Sequence, residues 1–197
     1  SPHQFVEFYR NVAQKGDTIL SIHITAKLSG TYASAISAAE ELKGEFNVIP
    51  VDSAVGSLGI GLMCREARKL ERAGKSVDEI VKYLENIKYN IRVILTLDTL
   101  EYAKMSGRVK TLQAALASLL NVKPIAILRG GDLNMAERVR TRKAALDRVI
   151  EIAKEEPKKQ EPIEETTKSE NEIAENDFTS TSKENPYVEG VLDPGTG

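Results

Sequence analysis

The chain has 197 residues and a net charge of −2 at pH 7, which is enough sequence for one medium domain or two small ones. Its single cysteine, Cys64, excludes a disulfide framework and a thiolate metal cluster. The near-neutral charge and 5% aromatic content disfavour nucleic-acid binding, and no charged leader or long apolar run is present, so we expect a soluble, cytoplasmic protein without stable membrane insertion.

Helices and strands alternate through the first half of the chain. Helices are predicted where apolar residues recur every three or four positions, and strands where short apolar runs occur. The predicted elements are helices at about 3–15, 29–43, 57–73 and 76–87, and strands at about 18–25, 46–52 and 91–97. Phe5, Phe8 and Val12 share one face of the first helix, whereas the strand at 18–25 is apolar on both faces, which indicates burial on both sides.

The second half is predicted to contain a β-hairpin between helices. The clearest helix before it opens with a capping-box pattern, Ser76 with Glu79. Two short helices follow the strand at 91–97, TLEYAKMSG, which ends at Gly107, and KTLQAALASLL. The stretches VKPIAILRGG and DLNMAERVR predict two strands joined by a Gly-Gly-Asp turn, and a last helix is predicted at about 141–155.

This order of elements predicts an α/β fold, with a parallel-sheet β-α-β domain followed by a smaller α+β subdomain and an acidic polar C-terminal tail. We place the first domain at 1–90, the second at 91–155 and the tail at 156–197. The tail has 11 acidic against 4 basic residues, and only 6 of its 42 residues are Leu, Ile, Val or Phe. Because such a composition is typical of disorder, we expect a largely disordered or loosely attached extension.

The junction KLSGTY at 27–32 is the most informative stretch, because a predicted strand ends and a helix begins there. Ligands of doubly wound sheets bind beyond the carboxyl ends of strands, and unsatisfied N–H groups at a helix start suit phosphate or carboxylate. Ser29 and Thr31 add hydroxyl donors, and Gly30 lets a ligand approach the backbone. Two interpretations stay open: an anion site, or a Ser29 that only caps its own helix.

A second glycine-rich stretch, GSLGIG at 56–61, has neither the G-x-G-x-x-G spacing nor that of a P-loop. We interpret it as a turn with close helix packing. Ser53 and Gly56 are still candidate ligand-binding residues, because Asp52 and Ser53 end a strand that is expected to run parallel to the first.

Residues suited to catalysis are otherwise sparse. His23 is interpreted as a packed strand residue, and Ser29 lacks the G-x-S-x-G pattern of an activated nucleophile. Acidic residues are too scattered to predict a metal site, so we expect no catalytic residue, no metal and no cofactor. The cluster RVRTRK at 138–143 is interpreted as a solvated helix start, but because cations are unfavourable there it also hints at an anionic partner.

Five stretches resemble the DegV family of bacterial lipid-binding proteins: LSGTYASA, PVDSAVGSLGIG, DTLEYAKMSGRV, SLLNVKPI and ERVRTRKAA. They occur in the family's order and cover roughly residues 1–150. The resemblance implies two α/β domains with a long-chain fatty acid between them. It places the carboxylate at Ser29, Gly30 and Thr31 and the acyl chain in an apolar tunnel.

The resemblance also implies a partner. Similar proteins are the non-catalytic binding subunit of a bacterial fatty acid kinase and present the carboxylate to a separate subunit, which forms an acyl phosphate. Arg108, Arg138 and Arg140 are then expected to contact that subunit. The alternatives are a small-molecule phosphotransferase of the dihydroxyacetone-kinase type and a non-catalytic interaction module. Since the family's Thr-Asp-Ser and His-x-Gly-Pro-Gly motifs are missing, we expect the chain to be incomplete at both ends.

Overall fold

The computed structural model describes residues 1–99, 105–107 and 122–155. In chain order its elements are α1 (Pro2–Val12), β1 (Thr18–His23), α2 (Thr31–Glu41), β2 (Asn47–Asp52), α3 (Leu58–Arg72), α4 (Val77–Ile87), β3 (Arg92–Thr96), β4 (Lys123–Arg129), β5 (Asp132–Val139) and α5 (Arg142–Lys154). Each matches a predicted element within a few residues. The predicted helix in KTLQAALASLL, most of the one in TLEYAKMSG and the tail lie outside the described residues.

The strands form two separate sheets, which confirms the α/β class. Strands β1 and β2 pair in parallel, and the register ends with His23 opposite Asp52. Strands β3, β4 and β5 form an antiparallel sheet in that order, with an irregularity between Ile125 and Ala126. The predicted hairpin is β4–β5. The predicted domain boundary near residue 90 falls between α4 and β3 and stays a prediction, since all described residues lie in one compact unit.

Strand β1 is packed on both faces, as its apolar sequence predicted. Leu20 and Ile22 pack against one cluster and Ile19 against the other. The first cluster is built from residues of β2, α3, α4 and the loop before α3, which are Val51, Val55, Met63, Ala67, Ile80 and Leu84. The second comes from α1, α2 and the residue that follows α2, and comprises Val6, Tyr9, Ala38 and Leu42. The parallel sheet is therefore the centre of a three-layer core.

The apolar face expected for α1 is only partly buried. Phe5 packs against the second cluster, but Phe8 and Val12 are 58% and 60% exposed. The buried positions are Val6 and Tyr9 instead. Tyr9 reaches the sheet, where its hydroxyl lies 2.7 Å from Ser21 Oγ, and with Val6 it belongs to the same apolar cluster as residues of α2 and Leu42, so tertiary contacts select a different face from the one that spacing alone indicated.

The start of α4 behaves as predicted. Ser76 Oγ accepts a hydrogen bond from the Glu79 amide, and the Glu79 carboxylate accepts one from the Ser76 amide at 2.9 Å, so the capping box is confirmed.

In the part of the chain that the structure describes, no helix is long and apolar enough to cross a membrane.

Candidate functional site

Two loops lie side by side where β1 and β2 end. Because the strands are parallel, residues 24–30 and residues 53–57 leave the same edge of the sheet. The Thr25 amide donates to the Val55 carbonyl at 2.9 Å, and the Ser53 amide donates to the His23 carbonyl at 3.1 Å. This edge is the position at which parallel sheets bind ligands.

Asp52 fastens the two loops to each other. Its Oδ2 accepts a hydrogen bond from the Ala26 amide at 3.2 Å, and its Oδ1 accepts one from the Ala54 amide at 2.9 Å. Sequence reasoning placed Asp52 at the end of a strand and found no metal site there, but it missed this role. An aspartate directly before a turn was the available signal, since its side chain readily accepts from backbone amides two residues on.

The hydroxyls of Ser29 and Thr31 meet in front of α2. Ser29 Oγ lies 2.7 Å from Thr31 Oγ1 and accepts from the Thr31 amide at 3.2 Å. The residue at the cap position is Gly30, which has no side chain, while Ser29 Oγ accepts from the amide of the first helical residue, so both interpretations of Ser29 stay open. Gly30 is exposed, and among the described residues no atom beyond its chain neighbours lies within 4 Å of the place where a Cβ would stand.

The helix start is flanked by two hydroxyls, one of which already accepts from the Thr31 amide. The first-turn amides carry the positive end of the helix dipole and attract an anion. Ser29 and Thr31 are half-buried, so neither side chain is enclosed by the core. Such a group of donors is able to orient a carboxylate or a phosphate.

Ser53 and Gly56 shape the second loop. Ser53 is fully buried, and its Oγ donates to the Val55 carbonyl at 3.1 Å and accepts from the Val55 amide at 3.2 Å. A Cβ on Gly56 would lie 3.5 Å from side-chain atoms of Ile24 and Leu128. Ala54 and Ser57, which flank Val55 and Gly56, have φ values of 53° and 50°, a backbone conformation that is uncommon for residues with side chains. A ligand-binding role for Ser53 and Gly56 stays a prediction.

The glycine-rich stretch packs closely, as predicted. A Cβ on Gly59 would lie 2.8 Å from Val55 Cγ2 and 3.1 Å from Val93 Cγ2. Gly59 is in the first turn of α3, so its missing side chain lets α3 approach both the second loop and strand β3.

His23 is a packed residue. Its Nε2 lies 2.8 Å from Ser21 Oγ, which continues to the Tyr9 hydroxyl, and the Phe5 ring meets it edge-on. Burial lowers the pKa of His23, and the nearby Asp52 carboxylate partly opposes this. The ring is therefore held neutral inside a hydrogen-bonded chain, in agreement with the sequence interpretation.

The turn of the β4–β5 hairpin lies against the first loop. Lys27 Nζ is 2.9 Å and 3.0 Å from the two carboxylate oxygens of Asp132 and 3.3 Å from the Gly130 carbonyl. The Gly131 amide donates to the Ala54 carbonyl at 2.6 Å. Sequence reasoning identified the turn but not its contact with the site, because no local pattern marks a pairing across 105 positions.

Only the end of the RVRTRK cluster is a helix start, so the helix-start interpretation is wrong for the predicted partner-binding residues Arg138 and Arg140. Arg138 lies in β5 and Arg140 follows it, and both are exposed. Arg142 is the first residue of α5, and its guanidinium is 3.7 Å from Asp98. Arg108 lies outside the described residues. In the described ranges, no three His, Cys, Asp or Glu side chains are grouped so as to hold a metal ion.

Comparison with known proteins gives consistent matches. A family model described as "Uncharacterised protein, DegV family" matches residues 1–182. A DegV domain-containing protein of Deinococcus radiodurans is 40% identical over 146 residues, which cover 74% of this chain and 51% of that protein. The chain therefore spans about half the length of this relative.

Two solved structures are similar to the chain. One, from Thermus thermophilus and described as fatty acid binding of a DegV family protein, has 36% identity and a TM-score of 0.67 and covers 78% of this chain and 54% of that chain. The other, described as a stearic acid-binding protein from Eubacterium ventriosum, has 26% identity and a TM-score of 0.71 and covers 78% of this chain and 53% of that chain.

Proposed function

We propose that this chain, which belongs to the DegV family, binds a long-chain fatty acid whose carboxylate lies at the start of α2. The observation that carries the proposal is the hydroxyl pair of Ser29 and Thr31 beside a helix start whose cap, Gly30, has no side chain. The two similar structures described as fatty-acid binding and stearic acid-binding support this ligand class.

The free-energy contributions to binding favour an acyl ligand with a small polar head group. Burying each methylene contributes about 0.8 kcal/mol, so about 14 methylenes gain on the order of 10 kcal/mol before the costs of ordering. Interaction of an anion with a helix start contributes about 0.3–1 kcal/mol, and hydrogen bonds to a charged group about 1.5–3 kcal/mol. The acyl chain therefore supplies affinity, and the Ser29–Thr31 junction supplies orientation and selects for a carboxylate.

We further propose that the chain is a non-catalytic binding subunit without a cofactor of its own. It would present the carboxylate to a separate kinase subunit, where a carboxylate oxygen attacks the terminal phosphorus of ATP, ADP leaves and an acyl phosphate forms. The absence of both nucleotide-loop spacings from the sequence supports this division of roles. Arg108, Arg138 and Arg140 are the proposed contacts to the kinase subunit, and Ser53 and Gly56 are proposed to line the ligand pocket.

Mass spectrometry of the gently purified chain, followed by titration with palmitate and hexadecanol, tests the binding proposal. We expect co-purified long-chain fatty acid, and binding of palmitate at least about tenfold tighter than that of hexadecanol, because the alcohol lacks the charge that the helix start attracts. Equal binding of the two would remove the carboxylate site. A co-purified triose phosphate or nucleotide would instead support the phosphotransferase alternative, and an empty chain that binds neither probe would support an interaction module.

A further inference from the structure

The loop that carries Ser29 is held by a side chain two residues before it. Lys27 extends to the hairpin turn, where both carboxylate oxygens of Asp132 and the Gly130 carbonyl accept from its ammonium. Three acceptors at one end fix the direction of a side chain that otherwise has much rotational freedom. Lys27 therefore acts as a tether between the first loop and the β4–β5 hairpin.

The backbone of the same turn makes a second, independent contact. The Gly131 amide donates to the Ala54 carbonyl in the second loop at 2.6 Å. A Cβ on Gly131 would lie 2.8 Å from Thr25 Oγ1 and 2.9 Å from Lys27 Cδ, so the turn fits against the first loop without room for a side chain. The hairpin turn thus contacts both loops that leave the parallel sheet.

From these contacts we infer that the hairpin turn, residues 130–132, is a positioning element for the carboxylate site and acts through Lys27 and Asp132. The inference rests on the proposed fatty acid function. A head group gains most from donors that are already in place, because ordering a mobile loop on binding weakens affinity. The turn contacts the loop before Ser29 through Lys27 and Asp132, and the Asp52 carboxylate contacts the same loop through the Ala26 amide. The backbone that carries the hydroxyl pair is therefore held in place before a ligand binds.

Asp132→Asn is the direct test, and Asp147→Asn is its matched control. Both carboxylates belong to exposed lysine pairs of similar length, 2.9 Å and 2.8 Å, and the two side chains are 54% and 57% exposed. We expect Asp132→Asn to speed amide hydrogen exchange in residues 25–31 and to weaken palmitate binding about two- to fivefold, and Asp147→Asn to do neither. The exchanged pair Lys27→Asp with Asp132→Lys should recover part of the affinity that Asp132→Asn loses.

The two glycines of the turn provide a second comparison. Gly130 and Gly131 both have positive φ, 57° and 84°, so alanine is strained at either position. A Cβ on Gly130 would meet only Tyr89, at 3.6 Å, whereas one on Gly131 would press on Thr25 and Lys27. When affinities are compared per folded molecule, Gly131→Ala should therefore weaken palmitate binding more than Gly130→Ala does.

The exchange and binding measurements separate the two proposals. If the parent chain binds no fatty acid but Asp132→Asn still speeds exchange in residues 25–31, the proposed function fails and the positioning contact stands. If the parent chain binds palmitate and Asp132→Asn leaves exchange and affinity unchanged, the positioning role is wrong. Tighter palmitate binding by Asp132→Asn would also overturn it, because Lys27 would then be a direct contact to the carboxylate.

Discussion

The Asp52 carboxylate accepts a hydrogen bond from the Ala26 amide, 26 residues earlier in the chain, at 3.2 Å. Its other oxygen accepts from the Ala54 amide at 2.9 Å. One side chain at the end of β2 therefore joins both loops, together with the backbone hydrogen bond from Thr25 to Val55, at the edge where the Ser29–Thr31 pair lies. The chain itself therefore sets the distance between the two loops before a ligand binds.

Replacing Asp52 by alanine should lower the free energy of unfolding by about 1–3 kcal/mol, because two backbone amides lose their acceptor. Asp52→Asn keeps one acceptor oxygen and should lose less. Urea denaturation of both variants measures the difference. Equal stability of Asp52→Ala and the parent chain would show that water replaces the carboxylate without loss.

Local patterns in the sequence were sufficient to predict the described elements and the edge of the sheet at which the candidate site lies. The capping box at Ser76, the hairpin turn and the position of KLSGTY after β1 all depend on neighbours within a few residues. The buried face of α1 could not be predicted in this way, because it depends on contacts with residues distant in sequence, Ser21 on the sheet and Ala38 and Leu42 in the second cluster. The pairing of Lys27 with Asp132 was likewise beyond prediction, since it depends on how the second sheet meets the first.

The double variant Ser29→Ala with Thr31→Ala should weaken fatty acid binding by about 1–3 kcal/mol and leave the fold intact, since both side chains are half-buried at the surface. Ser37→Ala is the control: it removes an exposed hydroxyl on the same helix, which donates to the Ala33 carbonyl. Calorimetric titration measures the change in fatty acid affinity, and circular dichroism shows whether the fold is intact. Unchanged affinity in a folded double variant would remove Ser29 and Thr31 from the site.

Two glycines of α3 should respond to alanine in opposite directions. At Gly59 a Cβ would lie 2.8 Å from Val55 Cγ2 in the core, so Gly59→Ala should destabilise the fold by about 1–3 kcal/mol through overpacking. In the described part of the chain, no atom outside the backbone of α3 and the neighbouring residues lies within 4 Å of the Cβ position at Gly61, so Gly61→Ala should stabilise the helix by about 0.5–1 kcal/mol. Thermal unfolding of both variants measures the signs. A stabilising Gly59→Ala would mean that α3 is free to move away from Val55.

Stability should fall on mild acidification because of His23. Burial lowers its pKa, against the opposing effect of Asp52, so the unfolded chain binds more protons than the folded chain between the lowered pKa and about 6.5. Stability therefore rises with pH through that window and is lost as the pH falls below about 6.5. Urea unfolding between about pH 7.5 and 5 should show this slope, and His23→Gln should flatten it.

His3→Gln is the control for this pH dependence, because His3 is the other histidine of the chain and is exposed on α1. It should leave the slope as it is in the parent chain. If His3→Gln flattened the slope and His23→Gln did not, the buried Tyr9–Ser21–His23 chain would not be the source of the pH dependence.

The proposed kinase contact predicts a defect in phosphorylation that spares the lipid. Reversing Arg108 and Arg140 to glutamate should leave the fatty acid content of the chain unchanged and should slow acyl phosphate formation by the kinase subunit. The defect should be largest at low ionic strength, because charges at an interface rim mainly set the rate of association and are screened by salt. Lys82→Glu, a charge reversal at an exposed position of α4, is the control and should not slow the reaction. Rates measured across a salt series, with lipid content determined by mass spectrometry, distinguish the outcomes. A reversed chain that lost its fatty acid would place these arginines in the ligand pocket rather than at the kinase subunit.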